Sequence, residues 1–349
     1  MRRGKVTSID VARLADVSQS AVSRTFTPGA SVSAETKRKV LDAANVLGYR
    51  PNAIARTLIT QRSRIIGVVV AYLDNQFYPL VLEWLSKELQ RRGYHVLLFM
   101  ADTGEADHIL PEILQYQIDG IVMASATLSS GLAQECADAG IPVVLFNRTV
   151  PNSPASSVTS DNFDGGRQVA RFLVAGGHQR IGFIAGDPDS STNRDREAGF
   201  LDGLNALGRR CWAREVGNYS FAGAVAATER LFGHDEHPDA IFVANDHMAI
   251  AVMDTLRHKL CLAVPDDVSI VGYDNVPQAA WPSYGLTTVD QPPTPMIAAT
   301  VEVLMRQIES GSVRCDTTEV PGRLIVRTSA RCPDGYEVEQ AEASMPELR

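Results

Sequence analysis

From Ile65 onward, short apolar runs alternate with longer amphipathic stretches, and nothing else in the chain restricts its fold so strongly. Residues 65–70, 95–99, 120–124 and 143–146 have the length and β-branched apolar character of strands buried on both faces of a parallel sheet. Residues 80–90, 105–117 and 131–139 lie between them with helical spacing, as crossover helices would. A Pro/Ser-rich stretch, 151–164, separates this series from a second. There, strands are expected at 180–185, 240–244 and 268–273, with helices near 196–207, 222–232 and 248–258. Residues 286–291 carry the chain back, and 294–308 and 323–327 complete one lobe each. The expectation is two doubly wound parallel-sheet lobes.

The first sixty residues have a different character. Thr7-Ser8-Ile9-Asp10 offers a hydroxyl N-cap with an acid three residues on, a capping box using Asp in place of Glu. Ile9, Val11, Ala12, Leu14 and Ala15 give this helix an apolar face, and a break follows at Asp16-Val17. Ser18 caps a second helix, about residues 19–26, which buries Ala21, Val22 and Phe26 and leaves Gln19, Ser20, Ser23 and Arg24 polar. Ser33 opens a third helix with Val40, Leu41, Ala44 and Leu47 at helical spacing, and Gly48 is its C-cap.

Two short helices joined by a tight turn and braced by a third make a helix-turn-helix. Its second helix fits the major groove of double-stranded DNA, with Gln19 and Ser20 in the turn that meets base edges. Arg24 lies one turn on, where its fork suits guanine O6 and N7. Thr7, Ser18 and Ser23 can donate hydroxyls to phosphates. The competing reading is a small three-helix subdomain with ordinary surface serines.

Charge agrees with a polyanion-binding head. Residues 1–64 hold 12 Lys or Arg against 4 Asp or Glu, net +8, and the remainder holds 21 against 37, net −16. A solvated basic surface without a partner would give the same balance. The sequence start, MRRGKVTSID, is basic and lacks the apolar stretch of a signal peptide, so a cytoplasmic protein is expected. The longest apolar run, 65–73, is far short of the ~20 residues a membrane helix needs. Five scattered cysteines without a C-x-x-C pair fit reduced thiols in a cytosol.

The string Val6-Thr7-Ser8-Ile9-Asp10-Val11-Ala12, then Ala15-Asp16-Val17-Ser18, Val22-Ser23-Arg24, Val32-Ser33, Gly48-Tyr49 and Pro51-Asn52-Ala53-Ile54-Ala55-Arg56, resembles the DNA-binding head of the lactose-repressor (LacI/GalR) family. The match runs without a gap over about 6–58. Asp16 departs from it, because the family usually has glycine in this turn; Asp tolerates the left-handed conformation better than most residues. Asn52 can cap a helix of about seven residues, too short to be stable alone in water and expected to form only beside its twin on DNA. The resemblance makes this the family's hinge helix, with Leu58 as a minor-groove wedge and Ala55 allowing close approach.

The later strings Phe146-Asn147-Arg148, Asp161-Asn162, Arg196 with Gly199-Phe200, Ala244-Asn245-Asp246, Val264 to Asp274 and Leu286-Thr287-Thr288-Val289 look like the family's effector-binding core, which resembles periplasmic sugar-binding proteins. By this resemblance Arg196, Asp246 and Asp274 lead the effector contacts, followed by Asn245 and Arg148. Asn75 follows the first strand, and Phe77, Tyr78 or Trp281 could supply an aromatic wall. Arg148 could equally clamp the lobes together, Asp274 could cap a loop, and Phe77 could belong to the core. Carboxylates beside aromatic faces suit a carbohydrate, and two arginines in one cleft suit a sugar acid or phosphate as well.

The resulting division is a helix-turn-helix domain over 1–50, a hinge helix and linker over 51–64, a core over 65–340 and a polar tail over 341–349. One lobe takes about 65–161 and 292–320, the other about 162–291 and 321–340. No G-x-S-x-G, Walker A, H-E-x-x-H or G-x-G-x-x-G string occurs, so an enzyme is not expected. His234 and His237 flank acids in a loop and read as solvated, so neither metal nor cofactor is expected. The tail lacks a leucine heptad for a tetramer seam, leaving a homodimer on a pseudo-palindromic operator. The function expected is a sequence-specific transcription regulator, a repressor, whose small-molecule effector binds between the lobes. A sugar-binding module or sugar-acting enzyme without operator recognition is the alternative.

Overall fold

The structure is a computed structural model that describes residues 6–27, 29–50, 62–71, 73–101, 106–125 and 129–339. The hinge residues Asn52, Ala55 and Leu58 lie outside this range. The chain divides into two compact units, one ending at Ser63 and the other beginning at Arg64.

The N-terminal unit contains α1 (Ser8–Ala15), α2 (Gln19–Thr25) and α3 (Ala34–Leu47). Thr7 Oγ1 accepts from Asp10 N, and the Asp10 carboxylate accepts from Thr7 N at 3.0 Å, so the capping box satisfies two helix-end donors. Asp16 takes the left-handed conformation at φ 53°. Ser18 and Ser33 cap α2 and α3 through their hydroxyls, and Gly48 ends α3 at φ 65°. A small core of Val11, Ala12, Ala15, Val22, Val40, Ala43 and Ala44 holds the three helices together. Ile9 and Leu14 are each 53% exposed, against the expectation that they share the buried face. The stripe of this short helix is set by Val11, Ala12 and Ala15, and both residues fall outside it.

The C-terminal unit is built on two six-stranded sheets. The first contains β1 (Ile65–Val70), β2 (His95–Met100), β3 (Gly120–Ala124), β4 (Val143–Phe146), β5 (Ser156–Ser160) and β11 (Thr317–Val320) in the order β11-β5-β4-β3-β1-β2, all parallel. Its helices are α4 (Phe77–Arg91), α5 (Ala106–Gln115) and α6 (Ser130–Asp138). The second contains β6 (Ile181–Ala185), β7 (Ala213–Val216), β8 (Ala240–Val243), β9 (Ser269–Asp274), β10 (Thr287–Asp290) and β12 (Leu324–Ile325) in the order β12-β10-β9-β8-β6-β7. Only β12 runs antiparallel in it. With it go α7 (Asn162–Ala175), α8 (Ser191–Ala206), α9 (Phe221–Leu231) and α10 (Asp246–Asp254), the last continued by a π turn, Thr255–Lys259. The long α11 (Pro293–Ser310) packs on α4, β4 and β5 of the first lobe.

Residues 151–164 do more than separate two series, because β5 lies within them, buried along its length between β4 and β11. Its hydroxyls find partners inside: Ser156 Oγ donates to Arg314 O at 2.7 Å and Ser157 Oγ to Thr317 Oγ1 at 3.3 Å. A strand satisfied in this way needs no apolar run. The strands β7 (Ala-Arg-Glu-Val) and β11 (Thr-Thr-Glu-Val) are short and largely polar, and also carry too little apolar signal to stand out.

In each sheet the strand order reverses direction once, beside β1 and beside β6, and the carboxyl ends of the neighbouring strands border a crevice. Three connections pass between lobes: from β5 to α7, from β10 to α11, and from β11 to β12.

Candidate functional sites

On α2, Gln19, Ser20, Ser23 and Arg24 are all exposed. Gln19 Nε2 donates to Ser8 Oγ at 3.1 Å, and Arg24 Nε reaches Ser20 O at 3.4 Å, folding its stem along the helix. Ser18 Oγ accepts from Ala21 N and stands 2.9 Å from Ser20 Oγ. The Thr7 hydroxyl donates to Asp10 Oδ2 at 2.7 Å. The exposed side of α2 thus presents an amide, hydroxyls and a guanidinium, the groups that address base edges and phosphates.

In the C-terminal unit, Asn75, Tyr78, Asn147, Arg148, Thr192, Arg196, Tyr219, Asn245 and Asp274 line a narrow polar cavity that is partly open to solvent. These residues come from strand ends and helix starts of both lobes. Asn75 Nδ2, in the first lobe, donates to Asp274 Oδ2 in the second at 3.2 Å. Arg148 Nη1 donates to Thr192 Oγ1 at 2.7 Å and to Asn147 O at 2.9 Å, so this guanidinium both borders the cavity and clamps the lobes. Arg196 is 2% exposed; its guanidinium lies 3.7 Å from the centre of the Tyr273 ring and pairs with Asp274 Oδ1 at 3.2 Å. Asp274 takes φ 116° and Asn275 φ 55°, a strained elbow at the end of β9. Burial raises the Asp274 carboxyl, and Arg196 opposes that shift.

Two buried polar atoms facing this space have no hydrogen-bond partner: Asn147 Oδ1 and Asn245 Nδ2. Asn245 Oδ1 is occupied as the cap of α10, accepting from Met248 N at 3.0 Å. One orphan is an acceptor from the first lobe and the other a donor from the second.

Three predicted contacts do not border the cavity. Asp246 lies beneath its floor, where its carboxyl accepts from Val276 N at 2.9 Å and lies 2.6 Å from the Thr288 hydroxyl. Burial, and then the neighbouring Asp274, push its pKa up to about 8. Phe77 packs into the first-lobe core against Phe146, ring centres 6.2 Å apart, because the first turn of α4 directs it inward. Trp281 is 52% exposed and follows the 3₁₀ turn Pro277–Ala280 outward. Conversely, Thr192 and Tyr219 line the cavity unannounced, and Asn147, noted only as part of the Phe146-Asn147-Arg148 string, lines it as well. Thr192 stands one turn before Arg196 on α8, a spacing that could have signalled it. Tyr219 gave no such sign: it reaches the site by a left-handed turn, φ 53° at Asn218 and 54° at Tyr219.

An exposed reading helix in one unit and, in the other, two lobes closing on a polar cavity define a ligand-responsive DNA-binding regulator. Residues 8–52 match the bacterial regulatory proteins of the lacI family, and residues 170–330 the periplasmic binding protein-like domain. The chain is 30% identical over 332 residues to the catabolite control protein A of Priestia megaterium, spanning 93% of this chain and 99% of that protein. It superimposes on the lac repressor dimer bound to operator and the anti-inducer ONPF with a TM-score of 0.85 at 27% identity, covering 93% of this chain and 99% of the other. A complex of the transcriptional regulator CelR with cellobiose gives a TM-score of 0.70 at 30% identity, covering 93% and 100%. The chain belongs to the lacI family. It is a DNA-binding transcription regulator, not an enzyme. Among the described residues no helix is long and apolar enough to cross a membrane.

Proposed function

We propose that this regulator represses transcription from a pseudo-palindromic operator as a homodimer, and that a hydroxyl-bearing ligand of carbohydrate type, bound between the lobes, controls it. Gln19, Ser20 and Arg24 read base edges while Ser18 and Ser23 meet phosphates. Thr7, whose hydroxyl and backbone N–H both donate to Asp10, holds the start of α1 instead. Asn52, Ala55 and Leu58 belong to the segment that bends the operator's centre. The exposed edge strand β2, with Leu98 at 45% and Met100 at 50%, supplies apolar surface for the second copy.

The observation that carries the ligand class is the orphan pair. Asn245 Nδ2 needs an acceptor and Asn147 Oδ1 needs a donor. A hydroxyl group serves as both, whereas an ionised carboxylate or phosphate group is acceptor-only and can meet Asn245 Nδ2 alone, so the ligand must bring a hydroxyl to Asn147 Oδ1. Because the two atoms belong to different lobes, one ligand satisfying both would favour the closed arrangement, and only such a difference in affinity can drive a switch. CelR, with its bound cellobiose, is a relative whose ligand has this chemistry.

The test is a melting-temperature screen of the purified protein against neutral sugars, sugar acids and sugar phosphates, followed by calorimetric titration of the hits. A hydroxyl-bearing sugar or sugar acid is expected to bind, and Asn147→Ala and Asn245→Ala each to weaken it by about 1–3 kcal/mol. A ligand that binds equally well to both variants would refute the assignment. The same ligand must change operator affinity in a gel or anisotropy assay.

A further inference from the structure

Arg196 has five N–H donors, and four are already committed inside the protein. Nε donates to Asn162 Oδ1 at 2.8 Å, Nη1 to Ala244 O at 2.6 Å, and Nη2 to Asp274 Oδ1 at 3.2 Å and Gln291 Oε1 at 3.1 Å. One Nη1 hydrogen is left to face the cavity.

Two of these partners sit where the chain passes between lobes. Asn162 opens α7 immediately after the connection from β5, and its own Nδ2 donates back to Ser160 O at 3.0 Å. Gln291 follows β10 and precedes α11; its Nε2 donates to Asp274 Oδ1 at 3.2 Å. Both are buried. The third connection comes against the second, since a Cβ on Gly322 would overlap Asp290 O. The stacked Tyr273 joins the same cluster, its hydroxyl 3.4 Å from Ser160 Oγ.

We propose that Asn162 and Gln291 are positioning residues that tie two inter-lobe connections together through the Arg196 guanidinium, making Arg196 the knot of the hinge. Resting on the reading that the cleft binds a ligand, this supplies the route from ligand to lobe movement. A ligand that draws on the remaining Nη1 donor, or competes for Asp274, slackens or tightens both connections at once. Coupling then depends on Asn162 and Gln291, which do not border the cavity.

The test needs no ligand, so its outcome is independent of the proposed ligand class. Amide hydrogen exchange of the full chain reports the first connection through Asp161 N, bonded to Val320 O, and the second through Asp290 N and Gln291 N, bonded to Arg323 O and Asp274 O. Asn162→Ala is expected to accelerate exchange at Asp290 and Gln291 roughly tenfold, although the substitution lies in the other connection. Gln291→Ala is expected to do the same at Asp161. Asn162→Asp keeps the acceptor for Arg196 Nε and is expected to restore protection at the remote connection, whereas Gln291→Glu, which turns the donor to Asp274 Oδ1 into a second carboxylate, is not. If each alanine variant loosens only its own segment, or if Asn162→Asp fails to rescue, the knot is refuted. Loss of fold in an alanine variant would show as global exchange; Asn162→Asp then decides, because exchange at Asp290 and Gln291 more than tenfold faster than wild type would refute the proposal.

Discussion

Gly199 lies in mid-α8 where that helix crosses α7, and its replacement by alanine sets two effects of known size against each other. A Cβ there would overlap the Phe163 carbonyl oxygen and stand 2.7 Å from its carbonyl carbon and 2.9 Å from its Cα. Ordinary contact begins at 3.4 Å, and the oxygen, nearest of the three, sets the separation, so the helices must part by more than the 0.7 Å that the carbon–carbon line alone requires (2.7 to 3.4 Å). All three atoms are backbone, and no rotamer change can relieve them. Overpacking of this kind costs about 1–3 kcal/mol, here toward the upper end, while alanine's better helix propensity returns about 1 kcal/mol. The net expectation is a loss of about 2 kcal/mol. Gly131, in the first turn of α6, is the matched control: its nearest neighbour would be Ser129 Oγ at 3.9 Å, so only the propensity gain remains. Gly131→Ala should therefore stabilise by up to about 1 kcal/mol. Urea denaturation of the two variants, followed by circular dichroism, compares their midpoints. Equal or greater stability of Gly199→Ala would mean that α7 and α8 are not locked at the separation described, and that the placement of Arg196 on α8 owes nothing to this packing.

Asp246, whose carboxyl is pushed up to about 8, holds a proton in the native state that an unfolded chain has lost above the ordinary carboxylate range. Native stability should therefore decline as pH rises from about 4 to 8; Asp274 reinforces the shift and Arg327 opposes it. Asp246→Asn keeps the neutral form's shape and should flatten that decline in a series of melts across the window; an unchanged slope would assign it to other groups. Arg24→Ala should weaken binding to the specific operator by about 1–3 kcal/mol and relax preference at one base pair per half-site, read by competition against scrambled duplex; an equal loss on every sequence would indicate a phosphate contact instead. Leu98→Glu combined with Met100→Glu should shift the protein to monomer in light scattering without lowering its melting cooperativity, and a dimer unaffected by both charges would place the interface elsewhere.

The sequence makes most of this architecture readable where one residue pattern has one physical meaning. Thr7 with Asp10, Ser18, Ser33 and Gly48 marked helix ends because few other residues satisfy orphan helix-end groups or adopt a left-handed cap. The runs at Ile65–Val70 and Gly120–Ala124 are strands because parallel strands are covered on both faces. β5 escaped notice because its buried hydroxyls are satisfied by residues some 160 positions distant, which no local window contains. The cavity was legible as a location, at the carboxyl ends of the strands, more than as a set of residues. Asn75, Tyr78, Arg148, Arg196, Asn245 and Asp274 do border it. Whether Phe77 turns toward a cleft or a core depends on how α4 is rotated, and Asp246 and Asn245, adjacent in sequence, end on opposite sides of the floor. Such distinctions arise from tertiary packing and leave no periodic trace.

The pairing of β5 with β11 also bears on how the molecule is made. The first lobe holds five of its six strands by Ser160, but the last arrives only at Thr317–Val320. A ribosome must release nearly the whole polypeptide before that sheet acquires its far border. Until then β5 presents an open flank of backbone donors and acceptors, the kind of template on which nascent chains pair wrongly with one another. Truncations ending before Thr317 should accordingly accumulate as insoluble material even though every residue lining the cavity has already been synthesised.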